Sequence, residues 1–401
     1  MTRRFFSVAI IAAAIAGFTG FSCTGPQSRM YPWEKNRKSL ATTTDAVLCY
    51  GGSHHRNPFL WDKERFAPYV TYVDQEGKEQ WLFDGFIFLE SQDVDRPDSA
   101  AYTYMTGVLL NTGVAAGKEQ WQELIDYYFA EGNCVDGLEE AVKAAESRLG
   151  KAPQKRRVIM MIPDPVIYHH YIDTTTTTTY WGALDGRQLD FRKNEDRIAA
   201  CKWYIDQVRA KFAEGNYEHV DLAGFYWLRE AIAQPQDTAY SYHLTRSDIM
   251  LPHIAEYLHG LNYTFNWIPY NDARGYADWR KFDFDQVYMQ PNHYWKPEIS
   301  MDTVCTMINR AGTSMEFEFE ASILKAWPGS DVYRARFRDY MKYARQYGIY
   351  GKRPLAYYQG SNALYNLSVS SDETDKEFFH EFCRFVIGNP LRSQQSGNGN
   401  K

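Results

Sequence analysis

Two acidic segments of this 401-residue chain have residue types and a spacing that suit acid–base chemistry. Glu230 closes one apolar stretch, and a second stretch alternates phenylalanine with three acidic residues, Glu316, Glu318 and Glu320. Two carboxyl groups can hydrolyse a glycosidic bond when one is protonated beside the leaving oxygen and the other is ionised beneath the anomeric carbon. The two segments therefore point to sugar chemistry with a retaining mechanism.

The surroundings of these acidic residues predict a separate role for each. Burial near Tyr226 favours the neutral form of Glu230, which makes it the predicted acid and later the base. Side chains alternate between the two faces of a strand, so the other three acidic residues share one face. Carboxylates under a helix layer would lose their solvation at high cost, so this face is predicted to point inward. We predict Glu318 as the nucleophile, Glu320 as the alternative, and Glu316 as lying too deep.

The elements that must hold these residues form a repeating pattern along the chain. Short apolar runs predict eight strands, at residues 46–50, 81–89, 157–162, 220–230, 263–268, 286–289, 314–319 and 354–358. Amphipathic periodicity predicts helices at residues 119–128, 138–149, 194–213, 248–261, 301–311, 332–347 and 375–386. This alternation predicts a parallel sheet closed into a single-domain (β/α)8 TIM barrel over residues 45–390. Working residues of such barrels gather at the carboxyl ends of the strands, where the fourth and seventh strands face each other.

Other predicted strand ends carry polar and aromatic side chains of the kind that bind sugars. The predicted substrate-binding residues are His54, His55, Arg56, Trp61, Asp164, Trp181, Tyr226, Trp267, Asn271, Asp272, Asn292, His293, Tyr358 and Gln359. Trp295 is a further candidate for stacking on a sugar ring. Aromatic residues make up 16% of the chain, which suits either a bulky core or a cleft lined with rings.

Metal-dependent hydrolysis on the same fold is a weaker alternative. Such barrels usually open with two histidines one residue apart, whereas His54 and His55 are adjacent and their side chains diverge. We therefore predict no metal and no other cofactor. The net charge of −6 and the lack of a basic stripe in the sequence argue against a nucleic-acid partner.

The first residues are expected to be an export signal and not part of the fold. Arg3 and Arg4 precede an apolar run that is too short to span a membrane as a mature helix. The sequence GFSC, ending at Cys23, resembles a bacterial lipobox, although Gly20 stands where leucine is usual. We predict a signal peptide at residues 1–22, lipidation of Cys23, a polar spacer at 23–44 and a disordered tail at 391–401. The protein would then be an outer-membrane lipoprotein on the periplasmic or cell-surface face. Simple secretion is the alternative.

Two motifs carry a resemblance to a known family. The sequence YGGSHHR at residues 50–56 with WDKERFAPY at 61–69, and GFYW at 224–227 with Glu230, resemble a domain-of-unknown-function family of lipoproteins common in gut Bacteroidetes. The resemblance implies a barrel and a setting in polysaccharide use. A wider similarity is to the clan of retaining glycosidases with the acid on strand four and the nucleophile on strand seven. The chain departs from that clan at Arg229, where asparagine usually precedes the acid.

Together these features predict an exported glycoside hydrolase acting on a poly- or oligosaccharide. The alternative is a non-catalytic glycan-binding lipoprotein on the same barrel. A glutamate at a strand end is often an ion-pair partner, and Arg229 and Arg353 are available for that role. The binding interpretation becomes the better one if Glu230 and the three acidic residues of the seventh strand are all tied up in ion pairs.

Overall fold

A computed structural model describes residues 30–35, 43–106, 113–233 and 246–392 of the chain. The predicted signal peptide, Cys23 and residues 393–401 of the predicted tail lie outside the described residues. Within the described ranges, no helix combines the length and the apolar character that crossing a bilayer requires.

Eight parallel strands close into one barrel, which confirms the predicted (β/α)8 fold. The strands are Asp45–Tyr50 (β1), Gly85–Leu89 (β2), Arg156–Ile162 (β3), Val220–Trp227 (β4), Thr264–Trp267 (β5), Gln286–Met289 (β6), Ser314–Glu318 (β7) and Leu355–Tyr358 (β8). Each strand pairs with its neighbour in the sequence, and β1 pairs with β8 to close the ring. Nearly every residue of these strands is buried, as expected for strands covered on both faces.

Helices surround the barrel and return the chain from one strand to the next. They are Lys63–Val70 (α1), Lys118–Tyr128 (α2), Cys134–Leu149 (α3), Asn194–Gly215 (α4), Ser247–Gly260 (α5), Met301–Ala311 (α6), Ser330–Gln346 (α7), Ala363–Ser368 (α8) and Glu373–Ile387 (α9). Single helical turns occur at Pro32–Lys35, His54–Arg56, Tyr276–Phe282 and Ala321–Ile323. All seven predicted helices are present, whereas α1 and α8 were not predicted because they are too short to show a clear period.

Three small sheets of two or three short strands lie in the loops of the barrel. They are Thr71–Val73 with Glu79–Trp81, Gln92–Asp93 with Tyr102–Thr103 and Val114–Ala115, and Ala183–Leu184 with Arg187–Gln188. The first pair explains why the predicted strand 81–89 is too long. Trp81 ends a hairpin, and β2 starts only at Gly85. Between them, the Asp84 carboxylate accepts hydrogen bonds from the backbone N–H groups of Thr44 and Asp45.

Part of the predicted polar spacer is packed against the barrel. Glu34, in the turn Pro32–Lys35, is fully buried and forms a two-pronged ion pair with Arg209 of α4, at 2.6 and 2.7 Å. The hydroxyl of Tyr263 also donates to this carboxylate. Burial of the pair shows that at least this part of the spacer is a structural element, which differs from the prediction.

Strand β7 presents its two faces as the alternation of the sequence predicts. Phe317 and Phe319 point outward beneath the helices, where Phe317 packs on Phe337 at 5.8 Å and Phe319 on Phe382 at 5.5 Å between ring centroids. The opposite face, which carries Glu316 and Glu318, points into the barrel.

Strand β4 passes very close to β5 at Gly224. The pairing of β4 with β3 shifts register between Leu222 and Gly224. A Cβ atom on Gly224 would lie 1.9 Å from the Thr264 Oγ1 atom and 2.5 Å from the Thr264 carbonyl oxygen. The strand that leads to Glu230 therefore needs glycine at this position.

We expect Gly224→Ala to lower the free energy of unfolding by about 1–3 kcal/mol, because the Thr264 backbone must move to admit the methyl group. The matched control is Gly260→Ala, since a Cβ there meets no atom within 4 Å. Urea denaturation of the two variants measures the difference. Equal stability of the two variants would contradict the close approach of β4 and β5.

Candidate functional site

A cavity of about 290 Å³ opens at the carboxyl end of the barrel, and we call it the mouth cavity. Its lining comes from strands β1, β4, β7 and β8 and from the segment after β6. The lining residues are Leu48, Tyr50, Tyr226, Glu230, Gln290, Asn292, Trp295, Glu316, Glu318 and Tyr358. Three of the four acidic residues singled out in the sequence therefore meet in one space.

Glu230 lies three residues beyond the end of β4. The backbone just before it is fixed by Trp267, whose indole N–H donates to the carbonyl oxygen of Arg229 at 2.8 Å. The side-chain amide of Gln290 donates to Glu230 Oε1 at 2.9 Å. Burial raises the pKa of Glu230 above its ordinary value, and the Gln290 amide only partly opposes this shift. A carboxyl group in this setting keeps its proton to a higher pH than a carboxyl group in water.

Glu318, at the end of β7, is anchored through one of its two oxygens. Its Oε2 atom accepts hydrogen bonds from the backbone N–H of Asn292 and from the hydroxyl of Tyr340, both at 2.6 Å. Its Oε1 atom is buried and has no hydrogen-bond partner among the described residues. Burial raises the pKa of Glu318, the Tyr340 and Asn292 hydrogen bonds oppose the rise, and the nearby Glu230 adds to it.

Glu316 lines the same cavity, two residues earlier on β7. Its side chain is 2% exposed, and its Oε1 atom has no hydrogen-bond partner in the part of the chain that the structure describes. Burial holds the pKa of Glu316 well above its ordinary value, and Glu318 and Glu230 raise it further. The expectation that Glu316 lies too deep needs correction, because the cavity extends down to it.

A second cavity, also of about 290 Å³, lies beside the first. Its lining residues are Tyr50, Arg56, Glu320, Ala321, Tyr358, Gln359, Gly360, Ser361, Asn362 and Ala363. Tyr50 and Tyr358 line both spaces, and their rings meet edge to face at 5.7 Å. Glu320, the alternative nucleophile, belongs to the second cavity and not to the mouth cavity.

Arg56 is held rigidly at the edge of the second cavity. Its Nε atom donates to the buried carboxylate of Glu90 at 2.6 Å, and its Nη1 atom donates to Ser361 Oγ at 2.5 Å. The guanidinium lies over the Tyr50 ring at 5.1 Å. The Glu90 carboxylate therefore largely balances the charge of Arg56. The guanidinium still lines the second cavity, where a ligand can contact it.

Several predicted binding residues reach one of the two cavities. Tyr226, Asn292 and Tyr358 line the mouth cavity, and Arg56 and Gln359 line the second cavity. Gln359 has a structural role as well, because its Oε1 atom accepts the Tyr69 hydroxyl and its Nε2 atom donates to the Leu48 carbonyl.

The tryptophan predictions need correction for three of the rings. Trp61, Trp181 and Trp267 are at most 2% exposed and lie outside both cavity linings. Trp61 packs on Phe66 at 5.0 Å and Trp267 stacks on Phe284 at 5.2 Å, so their faces are already covered. Trp295, in contrast, lines the mouth cavity with 39% of its surface exposed.

The remaining predicted binding residues also lie outside both linings. Asp164 accepts from Thr106 and lies 3.8 Å from Arg229, and His54 bonds to Asp93. His55 is half-buried, and burial lowers its pKa. In the loops after β5 and β6, Asn271 donates to the Pro291 carbonyl, Asp272 is exposed, and His293 bonds to the Ile299 carbonyl. These side chains support loops around the mouth and do not line it.

Four functional side chains were absent from the predicted site list. Tyr50 and Gln290 stand at strand ends, in motifs that the sequence does signal. Glu316 was excluded by its depth. Tyr340 comes from the interior of α7, and no local pattern indicates that its hydroxyl reaches the end of β7.

The carboxyl groups of the site were also considered as ligands for a metal ion. Within the described ranges, no three His, Cys, Asp or Glu residues are grouped so that they could hold one. The described lining of the mouth cavity itself offers carboxyl, amide, phenol and indole groups.

Comparisons with known proteins give a family. The family described as "Domain of unknown function (DUF4855)" matches residues 45–384. No curated protein matches the chain. Among solved structures, a mutant tryptophan synthase α-subunit from Pyrococcus furiosus is 10% identical, over 86% of this chain and 98% of its own, with a TM-score of 0.33.

Two further solved structures have similar scores. The YdhT protein from Bacillus subtilis is 12% identical, over 87% of each chain, with a TM-score of 0.38. A double mutant of the Cellulomonas fimi endo-β-1,4-mannanase is 10% identical, over 85% of this chain and 70% of its own, with a TM-score of 0.38. At this level of likeness nothing passes from the activities of these proteins to this chain.

The raised pKa of Glu316 predicts a specific dependence of stability on pH. Below the ordinary carboxyl pKa, Glu316 is protonated in both the folded and the unfolded state and destabilises neither. As the pH rises above that value, the unfolded state ionises first, so the folded state loses relative stability. Glu316→Gln removes this titration. We expect the free energy of unfolding of the variant to match that of the wild type at pH 4 and to exceed it at pH 8.

Urea denaturation at the two pH values measures this effect. The control is Glu298→Gln, which changes an exposed carboxylate and should alter stability by less than about 0.5 kcal/mol at either pH. A Glu316→Gln variant that is less stable than the wild type at pH 8 would show that the buried carboxyl is compensated in the folded protein.

Proposed function

The chain belongs to the DUF4855 family, a domain of unknown function, and we propose that it is a glycoside hydrolase with a retaining mechanism. One observation carries the proposal. Glu230 and Glu318 line one cavity at the carboxyl end of a (β/α)8 barrel, where burial raises the pKa of both. Two carboxyl groups that face one space, one to carry a proton and one to act as the anion, are what glycosidic bond cleavage requires.

The hydrogen bonds of the acidic residues favour an enzyme over a binding protein. Among the described residues, the partners of Glu230, Glu318 and Glu320 are amide, hydroxyl and backbone N–H groups. No ion pair of the described structure joins these three residues or Glu316 to a cation. Arg229 is directed to Asp164, and Arg353 donates to the carbonyl oxygens of Ile308 and Thr313. The ion-pair arrangement that would favour the non-catalytic alternative is therefore absent from the described structure.

In the proposed first step, Glu318 attacks and Glu230 protonates. Glu318 Oε1 forms a bond to the anomeric carbon while the bond from that carbon to the leaving oxygen breaks. The proton of Glu230 goes to the leaving oxygen. Tyr340 and Asn292 hold Glu318 Oε2, which leaves Oε1 to face the sugar.

In the second step, water releases the sugar. The ionised Glu230 takes a proton from a water molecule, whose oxygen attacks the anomeric carbon and displaces Glu318. Gln290 keeps the Glu230 carboxyl in place through both steps. Both groups return to their starting forms, as a double displacement requires.

The second cavity supports a poly- or oligosaccharide as the substrate. It adjoins the mouth cavity through Tyr50 and Tyr358 and offers a planar guanidinium, a carboxylate and a hydroxyl, from Arg56, Glu320 and Ser361. Because the leaving group must lie beside Glu230 on β4 and the attacked sugar beside Glu318, the second cavity next to β8 would take the next sugar unit, on the side away from the leaving group.

We expect Glu230→Ala and Glu318→Ala each to lower kcat by at least about 10²-fold on an aryl glycoside that the wild type cleaves. Sodium azide should rescue both variants with opposite stereochemistry. In Glu318→Ala, azide enters from the vacated nucleophile side and gives a glycosyl azide of inverted configuration. In Glu230→Ala, azide attacks the glycosyl–Glu318 intermediate and gives the configuration of the substrate.

NMR of the azide products distinguishes these outcomes. The wild type is first tested on a panel of plant, host and microbial oligosaccharides and their aryl glycosides to find the substrate. Full activity in both variants would remove these residues from the mechanism. Binding of a glycan without hydrolysis by the wild type would favour the glycan-binding lipoprotein.

We further propose that the protein is an exported lipoprotein of the outer membrane, anchored through Cys23. The support is the sequence itself, with Arg3 and Arg4 ahead of an apolar run and a lipobox-like GFSC. Labelled palmitate should be incorporated into the wild type and not into Cys23→Ala. Export without labelling of the wild type would indicate simple secretion.

A further inference from the structure

The described lining of the mouth cavity contains acidic side chains and no basic side chain. Its lining holds three carboxyl groups, two amides, three phenols, one indole and one leucine, and no lysine, arginine or histidine is among these described residues. The proposed mechanism uses Glu230 and Glu318. It leaves the third carboxyl group, Glu316, without a role.

Glu316 has an unmet capacity for hydrogen bonding. Its Oε1 atom is buried, and no donor in the described structure reaches it. A buried polar atom without a partner costs about 1–3 kcal/mol, and such atoms in native proteins usually have a functional explanation. Glu316 also forms part of the cavity lining, so a donor group on a ligand in the mouth cavity can approach its carboxyl group.

Among the described residues, the charged and titratable groups that act on Glu316 include no cation. Glu318 and Glu230 raise the pKa of Glu316, and the hydroxyls that interact with it electrostatically belong to Tyr50, Tyr226, Tyr340 and Tyr358. Arg56 lies at the second cavity, where it is paired with Glu90 at 2.6 Å. A positive charge brought by a ligand would favour the ionised form of these carboxyl groups and be attracted to it, whereas a negative charge would meet no opposite charge among the described lining residues.

We propose that the sugar held in the mouth cavity is an amino sugar whose free, protonated amino group donates to Glu316. The inference rests on the proposed function and names the substrate class of the same site. Sugars with carboxylate or sulfate groups are excluded from this position, and neutral sugars bind less well because their hydroxyls donate without a charge. An N-acetylated amino sugar has lost the charge and falls in the neutral class.

The first test compares kcat/KM for matched 4-nitrophenyl glycosides that carry an amino group, a hydroxyl or, as uronosides, a carboxylate. In the wild type, the amino glycoside should exceed its neutral counterpart by about 10–100-fold, the equivalent of one charge-assisted hydrogen bond. Glu316→Gln should reduce this ratio to near one. Glu320→Gln should keep the ratio, because Glu320 lines the second cavity.

The second test needs no variant and no turnover. Titration calorimetry of the wild type with D-glucosamine and D-glucose, in two buffers of different ionisation enthalpy at pH 6, counts the protons exchanged on binding. Glucosamine should release protons, because its ammonium lowers the pKa of the carboxyl groups that it approaches. D-glucose should bind more weakly and release none.

The outcomes separate this inference from the proposed function. Hydrolysis of neutral and amino glycosides at equal rates would overturn the amino-sugar inference and leave the hydrolase intact. Faster hydrolysis of a uronoside would overturn it as well. Tight binding of glucosamine with proton release, but no hydrolysis of any glycoside, would support the inference and count against the hydrolase.

Discussion

The site depends on one constraint, the burial of three carboxyl groups at one end of a closed barrel with no cation beside them among the residues that the structure describes. Each group would ionise readily in water, and each loses that tendency when the surrounding protein replaces the solvent. The packing between the strands and the outer helices offsets the cost of burying these groups. Phe317 and Phe319 sit among the rings of α7 and α9, and they hold β7 so that Glu316 and Glu318 must face inward. The site is thus imposed by packing on the opposite face of the same strand.

Hydrogen bonding makes the three carboxyl groups unequal. Glu318 receives two donors on one oxygen, Glu230 receives one amide, and Glu316 Oε1 receives none from the described residues. Donors favour the ionised form, so Glu318 is better prepared to be an anion than Glu316, which is the one best prepared to stay neutral. This ordering gives a physical reason to assign attack to Glu318 and not to its neighbour two residues earlier.

Local periodicity was enough to predict the barrel and the direction of the acidic side chains. Alternation along β7 indicated the inward face, and the order of apolar runs indicated that β4 and β7 carry the acids. Periodicity could not reveal contacts made across the fold. Tyr340 reaches Glu318 from a helix. Arg56 donates both to Glu90 and to Ser361, which lies 305 positions further along the chain than Arg56. Periodicity also could not separate buried tryptophans from exposed ones. Both kinds occur at or beyond strand ends, and what differs is whether the ring packs into the core, as for Trp267, or faces the mouth cavity, as for Trp295.

The arrangement explains why the site and the stability of the protein oppose each other. A barrel optimised for stability alone would replace the buried carboxyl groups by apolar residues or pair them with arginines. This protein does pair one buried carboxylate in that way, that of Glu34 with Arg209. The mouth cavity does neither, although the sequence places Arg229 directly beside Glu230. Directing that arginine to Asp164 keeps its positive charge away from the acid. A cation beside Glu230 would lower its pKa and remove the proton that the leaving group needs. The departure from asparagine at this position is therefore compatible with acid catalysis, provided that Asp164 continues to hold the arginine.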